Sequence, residues 1–517
     1  MFSNFLICKF LCLICCIKTD IVLNPYKKLG GQAIVYGLGN IVPRILNYAI
    51  LTVYFTRRFS VEEYGVITEL YAYVAILMVI LTYGMETGLF KFSGEETKKN
   101  NVFSTAFVSV ALTSVLFVLV VIGLRSVIAS GIGYTGNPEY IVYLGTILGI
   151  DAVSAIVFAK LRIENKVRRF AVLKIINVIV TIFFVLLFLE GFPRLPFITG
   201  SSFYSIYLKD IGVGYVFISN LLASIVVLLL LIGDIRKYRA FVKGSVLLEL
   251  LIYSVPLLVS GLAGMFNETI DRILIRNFSA DGINPLYELG IYGANYRIAV
   301  LMTIFVQMFR YAAEPFFFNQ FKQKDARLIY ANVLKYFTIF MMVIFLVVSV
   351  MIDVFKYFID VRFHEGLQIV PIVLMANVLT GMLFNVNMWY KLTGNTMYGV
   401  YITGTGALIT VVLNILFIPV YGYIACAWIH LLSNFLMLAI TYFYGQKIYK
   451  IPYDMKSILL YVALGLVFYA IWYVLKSENI LLNLAGGVLV VTVFILFSER
   501  REKLISIFLM KRESKNS

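Results

Sequence analysis

Residues 102–128 read VFSTAFVSVALTSVLFVLVVIGLRSVI, and from Val102 to Leu124 there is no charged side chain. At 1.5 Å per residue that uncharged run alone makes a helix about 35 Å long, enough to cross the ~30 Å hydrocarbon core of a bilayer. Working outward from it, about fourteen apolar stretches follow one another: 29–55, 66–90, 102–128, 138–160, 170–190, 212–235, 247–270, 288–311, 330–353, 366–390, 398–420, 421–444, 457–475 and 479–498. Almost nothing remains between them for a soluble domain. The chain is therefore expected to be an all-α integral membrane protein with about 14 transmembrane helices, acting inside or across a membrane.

Composition agrees. Of 517 residues, 61% are hydrophobic and only 14% charged, with mean hydropathy +0.90, where soluble domains carry about 25% charged residues. A net charge of +16 raises the question of a nucleic-acid partner, but the basic residues sit in short loops beside the spans, where they orient helices. No nucleic-acid partner is expected; the partner is the lipid bilayer. An even number of spans puts both termini on one side. The basic segments Lys160–Lys174, Arg236–Lys243, Lys322–Lys335 and Arg500–Lys515 all fall on that side, so both termini are expected to be cytoplasmic.

Cys8, Cys12, Cys15, Cys16 and Cys426 have no zinc-site spacing, and only His364 and His430 are available to join them, so no metal is expected. The first 24 residues are too short an apolar run to span and lack a cleavage motif; they are expected to be dispensable. There is no GxxxxGK[ST], HExxH or GxSxG motif, so neither a cofactor nor enzymatic catalysis is expected.

An internal repeat organises the spans. Arg57-Arg58-Phe59-Ser60 and Glu63-Tyr64-Gly65-Val66 recur as Arg276-Asn277-Phe278-Ser279 and Glu288-Leu289-Gly290-Ile291, with six extra residues in the second copy. Further on, Glu86 with Leu89-Phe90 is echoed by Glu314 with Phe317-Phe318. Six spans separate the copies, so the halves share one orientation, a parallel repeat about an axis along the membrane normal.

Intramembrane charge is costly and marks cavities or partners. Charges concentrate in the first, second, seventh and eighth spans: Arg44 behind Pro43, Glu86, Glu268, Asp271 and Arg272, then Arg297, Arg310 and Glu314. Asp151 lies alone in the fourth span. Interfacial pairs within one helix (Glu268–Arg272, Glu86–Lys91, Arg310–Glu314) are the structural alternative, and Asp151 is open to pairing with a neighbouring span. Arg44 and Arg297 lie deepest, and His430 reads as a packing residue.

The run Arg57–Gly65, RRFSVEEYG, resembles the loop after the first helix of polysaccharide flippases in the multidrug/oligosaccharidyl-lipid/polysaccharide exporter superfamily. Asp271–Leu274 followed by Gly290–Tyr296 is similar to the start of that family's second lobe, and the likeness in span layout covers roughly Lys27 to Glu499. Residues 1–26 fall before the likeness and are expected to be an N-terminal extension; the resemblance implies two pseudo-symmetric six-helix lobes (27–245 and 246–446) around a central cavity. Two further helices with a basic tail (447–517) follow. It also implies a bacterial plasma membrane protein that flips an undecaprenyl-diphosphate-linked oligosaccharide to the outer leaflet by alternating access. Glycan polymerase or glycosyltransferase machinery are the partners to expect.

A diphosphate needs fixed cations to cross hydrocarbon, and arginine suits bidentate phosphate recognition. Arg44 and Arg297, one per half, are the leading substrate-binding residues, followed by Arg272 and Arg310. Glu86, Asp151, Asp271 and Glu314 are the coupling or cavity acids. The competing functions are a lipid II flippase or cation/drug antiporter of the same superfamily. An antiporter cavity would carry acids and aromatics without the arginines. A membrane-embedded oligosaccharide polymerase is also open, for which only His364, near Arg362 and Glu365, speaks.

Overall fold

A computed structural model describes residues 43, 45–93, 99–194, 212–236, 238, 241–321 and 323–502. Its regular architecture begins where Ser60 ends one helix and starts the next. The Ser60 hydroxyl accepts from the Glu63 amide at 3.1 Å, and the Glu63 carboxylate accepts from the Ser60 amide at 2.8 Å. This reciprocal cap satisfies backbone donors that the bilayer cannot and turns α1 (Val53–Arg58) back as α2 (Val61–Thr82).

The helices that follow are α3 (Met85–Phe92), which completes the span begun by α2, α4 (Lys99–Gly123), α5 (Arg125–Gly131), α6 (Glu139–Ile163), α7 (Val167–Leu186), α8 (Gly214–Ile235), α9 (Gly244–Phe278) and α10 (Pro285–Gln320). They continue as α11 (Ala326–Val350), α12 (Ile369–Val386), α13 (Met397–Tyr421), α14 (Tyr423–Ile448), α15 (Met455–Leu475) and α16 (Ile480–Glu502). No strand occurs among the described residues. Thirteen helical segments of these are long and apolar enough to cross a membrane. The first expected span, 29–55, lies mostly outside the described residues; its end is a π-helical turn, Asn47–Thr52, running into α1. Tyr83 and Gly84, both with positive φ, break α2 from α3. The turns at 59–60, 131–138 and 279–284 lie together at one end of the bundle, the distal end, which the charge distribution is expected to place outside.

The repeat is visible as contact. Gly65 of α2 and Gly290 of α10 lie backbone to backbone: a Cβ on Gly65 would stand 2.1 Å from the Leu286 carbonyl oxygen, and one on Gly290 would stand 2.0 Å from that of Val61. Val61 precedes Gly65 by the same four residues that separate Leu286 from Gly290. Such reciprocity is the signature of a two-fold axis between two elements. One turn deeper, Gly293 meets the Thr68 side chain, and both sit three residues past their glycine. α2 and α10 therefore run side by side in the same direction across the pseudo-dyad, as a parallel repeat demands.

The last two helices pack on α11. At one end Lys335 bonds Glu502 at 2.6 Å; at the distal end Asp353 gathers Lys356 at 2.9 Å and Lys476 at 3.3 Å.

Gly65→Ala and Gly290→Ala are each expected to lower the detergent-solubilised protein's melting temperature, by an overpacking cost of about 1–3 kcal/mol. Gly404→Ala, where an added Cβ meets nothing within 4 Å, is expected to be neutral or stabilising by up to ~1 kcal/mol. Thermal unfolding of the three variants side by side checks the contact.

Candidate functional site

Between Leu289 and Ala299 the side chains of α10 are buried at nearly every position, with one interruption: Arg297 is exposed. It stands twelve residues past Pro285, about 18 Å down the helix and hence near mid-membrane depth. A guanidinium at that depth is costly in hydrocarbon, which is why such charges mark cavities or partners. Tyr48, Tyr64 and Tyr71 lie within its electrostatic reach, and Asn220 donates to the Tyr71 hydroxyl at 3.0 Å. Asp151 adjoins the same region, beside Ser224 and Lys174. The result is a wall of one open arginine and several hydroxyls, able to hold a multiply charged oxyanion. Arg44, the other deep arginine, lies outside the described residues.

The remaining sequence candidates separate into distinct environments. Arg310 is exposed, with its guanidinium 5.4 Å from the centre of the Phe384 ring. Glu314 bonds Lys391 at 2.8 Å, not Arg310. Glu86 bonds Arg162 of α6 at 2.7 Å, while Lys91 sits 3.8 Å over the Tyr253 ring. Arg272 donates to the Glu268 carbonyl at 2.6 Å and to Asp271 at 2.9 Å, so its carboxylate partner is its neighbour. The three within-helix ion pairs read from the sequence are thus replaced. Two become pairs between helices, because the nearest opposite charge lies across a helix interface, and the third becomes a pair between adjacent residues.

Arg272 and Arg297 differ in kind. The Tyr292 hydroxyl donates to the second Asp271 oxygen, and the Arg272 guanidinium lies 4.5 Å over the Tyr296 ring. His430, buried, has Nε2 3.3 Å from the Asn434 amide nitrogen and its ring edge-on to Tyr296. This is a closed network spanning α9, α10 and α14, with little room for a ligand at Arg272, whose side chain is 12% exposed. His364 sits in the 3-10 segment Val361–Gln368 with Nε2 3.1 Å from the Lys356 carbonyl.

Above Arg297 the distal end is closed. Glu69 of α2, fully buried, accepts from the Tyr134 hydroxyl at 2.6 Å and lies 3.7 Å from Arg276 of α9; its Oε1 has no hydrogen-bond partner among the described residues. The segment Val361–Gln368 bridges the same end. Arg362 donates to the Thr56 carbonyl at 2.9 Å, and Asn295 donates to the Phe363 carbonyl at 2.8 Å. Glu69 is absent from the charged candidates above, although an acid inside an apolar span meets the same criterion as Glu86.

Residues 29–321, more than half of the chain, match the family described as polysaccharide biosynthesis protein. No curated protein matches in sequence. Among solved structures, the lipid II flippase MurJ in an inward closed conformation has a TM-score of 0.68 at 16% identity, covering 90% of this chain and 99% of that chain. An inward-facing multidrug resistance MATE family transporter of the MOP superfamily has a TM-score of 0.63 at 13% identity, over 80% and 97%. The MATE multidrug transporter DinF-BH has 0.61 at 18%, over 83% and 97%. These likenesses are of fold: this chain has the architecture of a MOP-superfamily transporter and is a multi-pass membrane protein.

Removing Arg276 strands a buried carboxylate, so Arg276→Leu is expected to destabilise by about 3–5 kcal/mol. Adding Glu69→Gln is expected to recover much of the loss, with a coupling energy of roughly 0.5–3 kcal/mol. A double-mutant cycle of thermal stability measures it; additivity would place the two residues in separate networks.

Proposed function

The chain belongs to the polysaccharide biosynthesis protein family, and from that premise we propose that it flips a polyprenyl-diphosphate-linked oligosaccharide, carried on undecaprenyl, from the cytoplasmic to the outer leaflet of a bacterial plasma membrane. The observation that carries this reading is Arg297: one exposed guanidinium in an otherwise buried stretch of helix, at mid-membrane depth, among tyrosine hydroxyls. The diphosphate meets that arginine, with Arg44 as its proposed companion and Arg310 further along α10. The glycan rides in the wet space, and the polyprenyl chain stays in lipid. Arg272, neutralised by Asp271, serves better in a coupling network than as a phosphate ligand.

The distal closure around Gly65, Gly290 and Glu69 supports a state open toward the cytoplasm, with both termini on that side. Movement of the halves 27–245 and 246–446 about the pseudo-dyad then exposes the cavity alternately. The sequence carries no nucleotide-binding motif, so the drive is an ion gradient or the membrane potential, acting through acids such as Asp271, Asp151, Glu86 or Glu314. A lipid II flippase would use the same diphosphate chemistry. The two readings part on the sugar, which assays with either lipid-linked glycan separate.

Arg297→Ala and Arg44→Ala are each expected to abolish flipping in proteoliposomes while leaving membrane abundance and melting temperature within the range of ordinary surface variants. Lysine at either position is expected to restore flipping only in part, since it keeps the charge and loses the two-pronged geometry. Wild-type flipping by both alanine variants would exclude these arginines from transport. A collapse in stability would instead identify them as members of structural ion pairs.

A further inference from the structure

The pseudo-dyad allows each distal residue to be compared with its counterpart. In the repeat, Arg57 corresponds to Arg276. The two stand alike: Arg276 lies against the turn that holds Gly133 and Tyr134, and Arg57 donates to the Tyr357 carbonyl at 3.4 Å in the equivalent turn of the other half. Arg276 meets Glu69, which lies four residues past Gly65. The residue four past Gly290 is Ala294, fully buried. Arg57 therefore keeps the position of a clasp residue with the partner acid removed, and it has no carboxylate partner among the described residues. Its neighbour Arg58 reaches Glu190 only at 3.9 Å. Glu190 is already engaged by Arg194 at 2.6 Å and by the Tyr54 hydroxyl at 2.9 Å. Arg58 and Arg194 share one carboxylate and Arg57 has none among the described residues, on the face where the positive-inside tendency makes arginine least common.

Arg57, Arg58 and Glu190 rim a cavity of about 420 Å³ whose walls include Ile50, Val53 and Tyr54. Ile50 to Arg57 is about 10 Å of helix, so the cavity is apolar below, where the membrane begins, and cationic at its rim. A soluble anion has no use for the apolar wall, and a plain alkyl chain has none for the arginines. An amphiphile with an anionic head matches both.

We propose that this cavity is an exit site, in which the diphosphate of the flipped lipid-linked glycan docks on Arg57 and Arg58 in the outer leaflet with the first isoprene units against Ile50 and Val53. The net charge of the rim favours a diphosphate diester, with two negative charges, over the single charge of a phospholipid phosphodiester. The inference rests on the flippase reading above and adds a second lipid-phosphate site to the Arg297 cavity.

The test counts lipids. Full-length protein in phosphatidylcholine nanodiscs is titrated with an undecaprenyl-diphosphate-linked sugar, a diphosphate diester, and examined by native mass spectrometry. The wild type is expected to hold two molecules, Arg57→Ala/Arg58→Ala to hold one, and Arg297→Ala to hold one. Ile50→Trp, which fills the apolar wall and leaves both arginines, is expected to lose the same molecule as the double arginine variant. In proteoliposomes the double variant is expected to slow flipping at least fivefold. Two molecules retained by both exit-site variants would overturn the exit site and leave the flippase reading standing. A single wild-type molecule that disappears with Arg297→Ala would do the same. No binding by the wild type would overturn the flippase reading itself. Displacement of the exit-site molecule by an equal concentration of phosphatidylglycerol would overturn the assignment to the diphosphate product.

Discussion

The two glycines that meet on the pseudo-dyad set the limits within which everything else is built. Carbonyl oxygens about 2 Å from where a Cβ would be mean that any side chain at Gly65 or Gly290 pushes the two helices apart. Because α2 and α10 touch there, the distal ends of the two halves meet backbone to backbone. That closeness brings Glu69 within reach of Arg276 and seats the 361–368 segment on α10 through Asn295. It also leaves Arg297 below the closure, in a space that protein does not fill.

Much of this was legible in the sequence. Span length and charge depletion located thirteen membrane helices because hydrophobic length is a one-dimensional property. The repeat of Glu-x-Gly at 63–65 and 288–290 named the very residues that meet on the axis. Local spacing failed at the charges. Spacing along one helix offers Glu86, Glu314 and Arg272 partners on their own helices as the structural alternative to a cavity role. In the structure Glu86 and Glu314 bond Arg162 and Lys391 on other helices, and Arg272 bonds the adjacent Asp271. In a bundle this crowded the nearest opposite charge is set by helix packing, which spacing along one helix does not encode. Glu69 hides for a related reason: nothing in TELYAY (residues 68–73) indicates that Tyr134 and Arg276 converge on it.

Depth alone also misjudges arginine. Arg272 and Arg297 both lie in apolar helices, yet one is paired with an adjacent acid and covered by tyrosines, and the other is open. The difference lies in the neighbouring residue. Asp271 makes Arg272 part of a compact dipole, which helix packing can bury; Arg297 is flanked by Tyr296 and Ile298, which supply no countercharge. A charge with a covalent neighbour of opposite sign is a poor marker of a binding surface, and one without is a good marker.

The π-helical turn Asn47–Thr52 has a consequence for anyone who compares or recombines such chains. A π-turn holds about one residue more than the α-helical turn it replaces, so the first span contains a phase step of about 100°. Tyr48, beside Arg297, lies in the first residues of that turn, and Arg57 with Arg58, at the cavity rim, lie beyond it. Their angular relation is thus fixed by a residue count and not by either sequence alone. An alignment that closes the step with a one-residue gap, or a chimera joined within it, would preserve every motif and still rotate one group of residues away from the other.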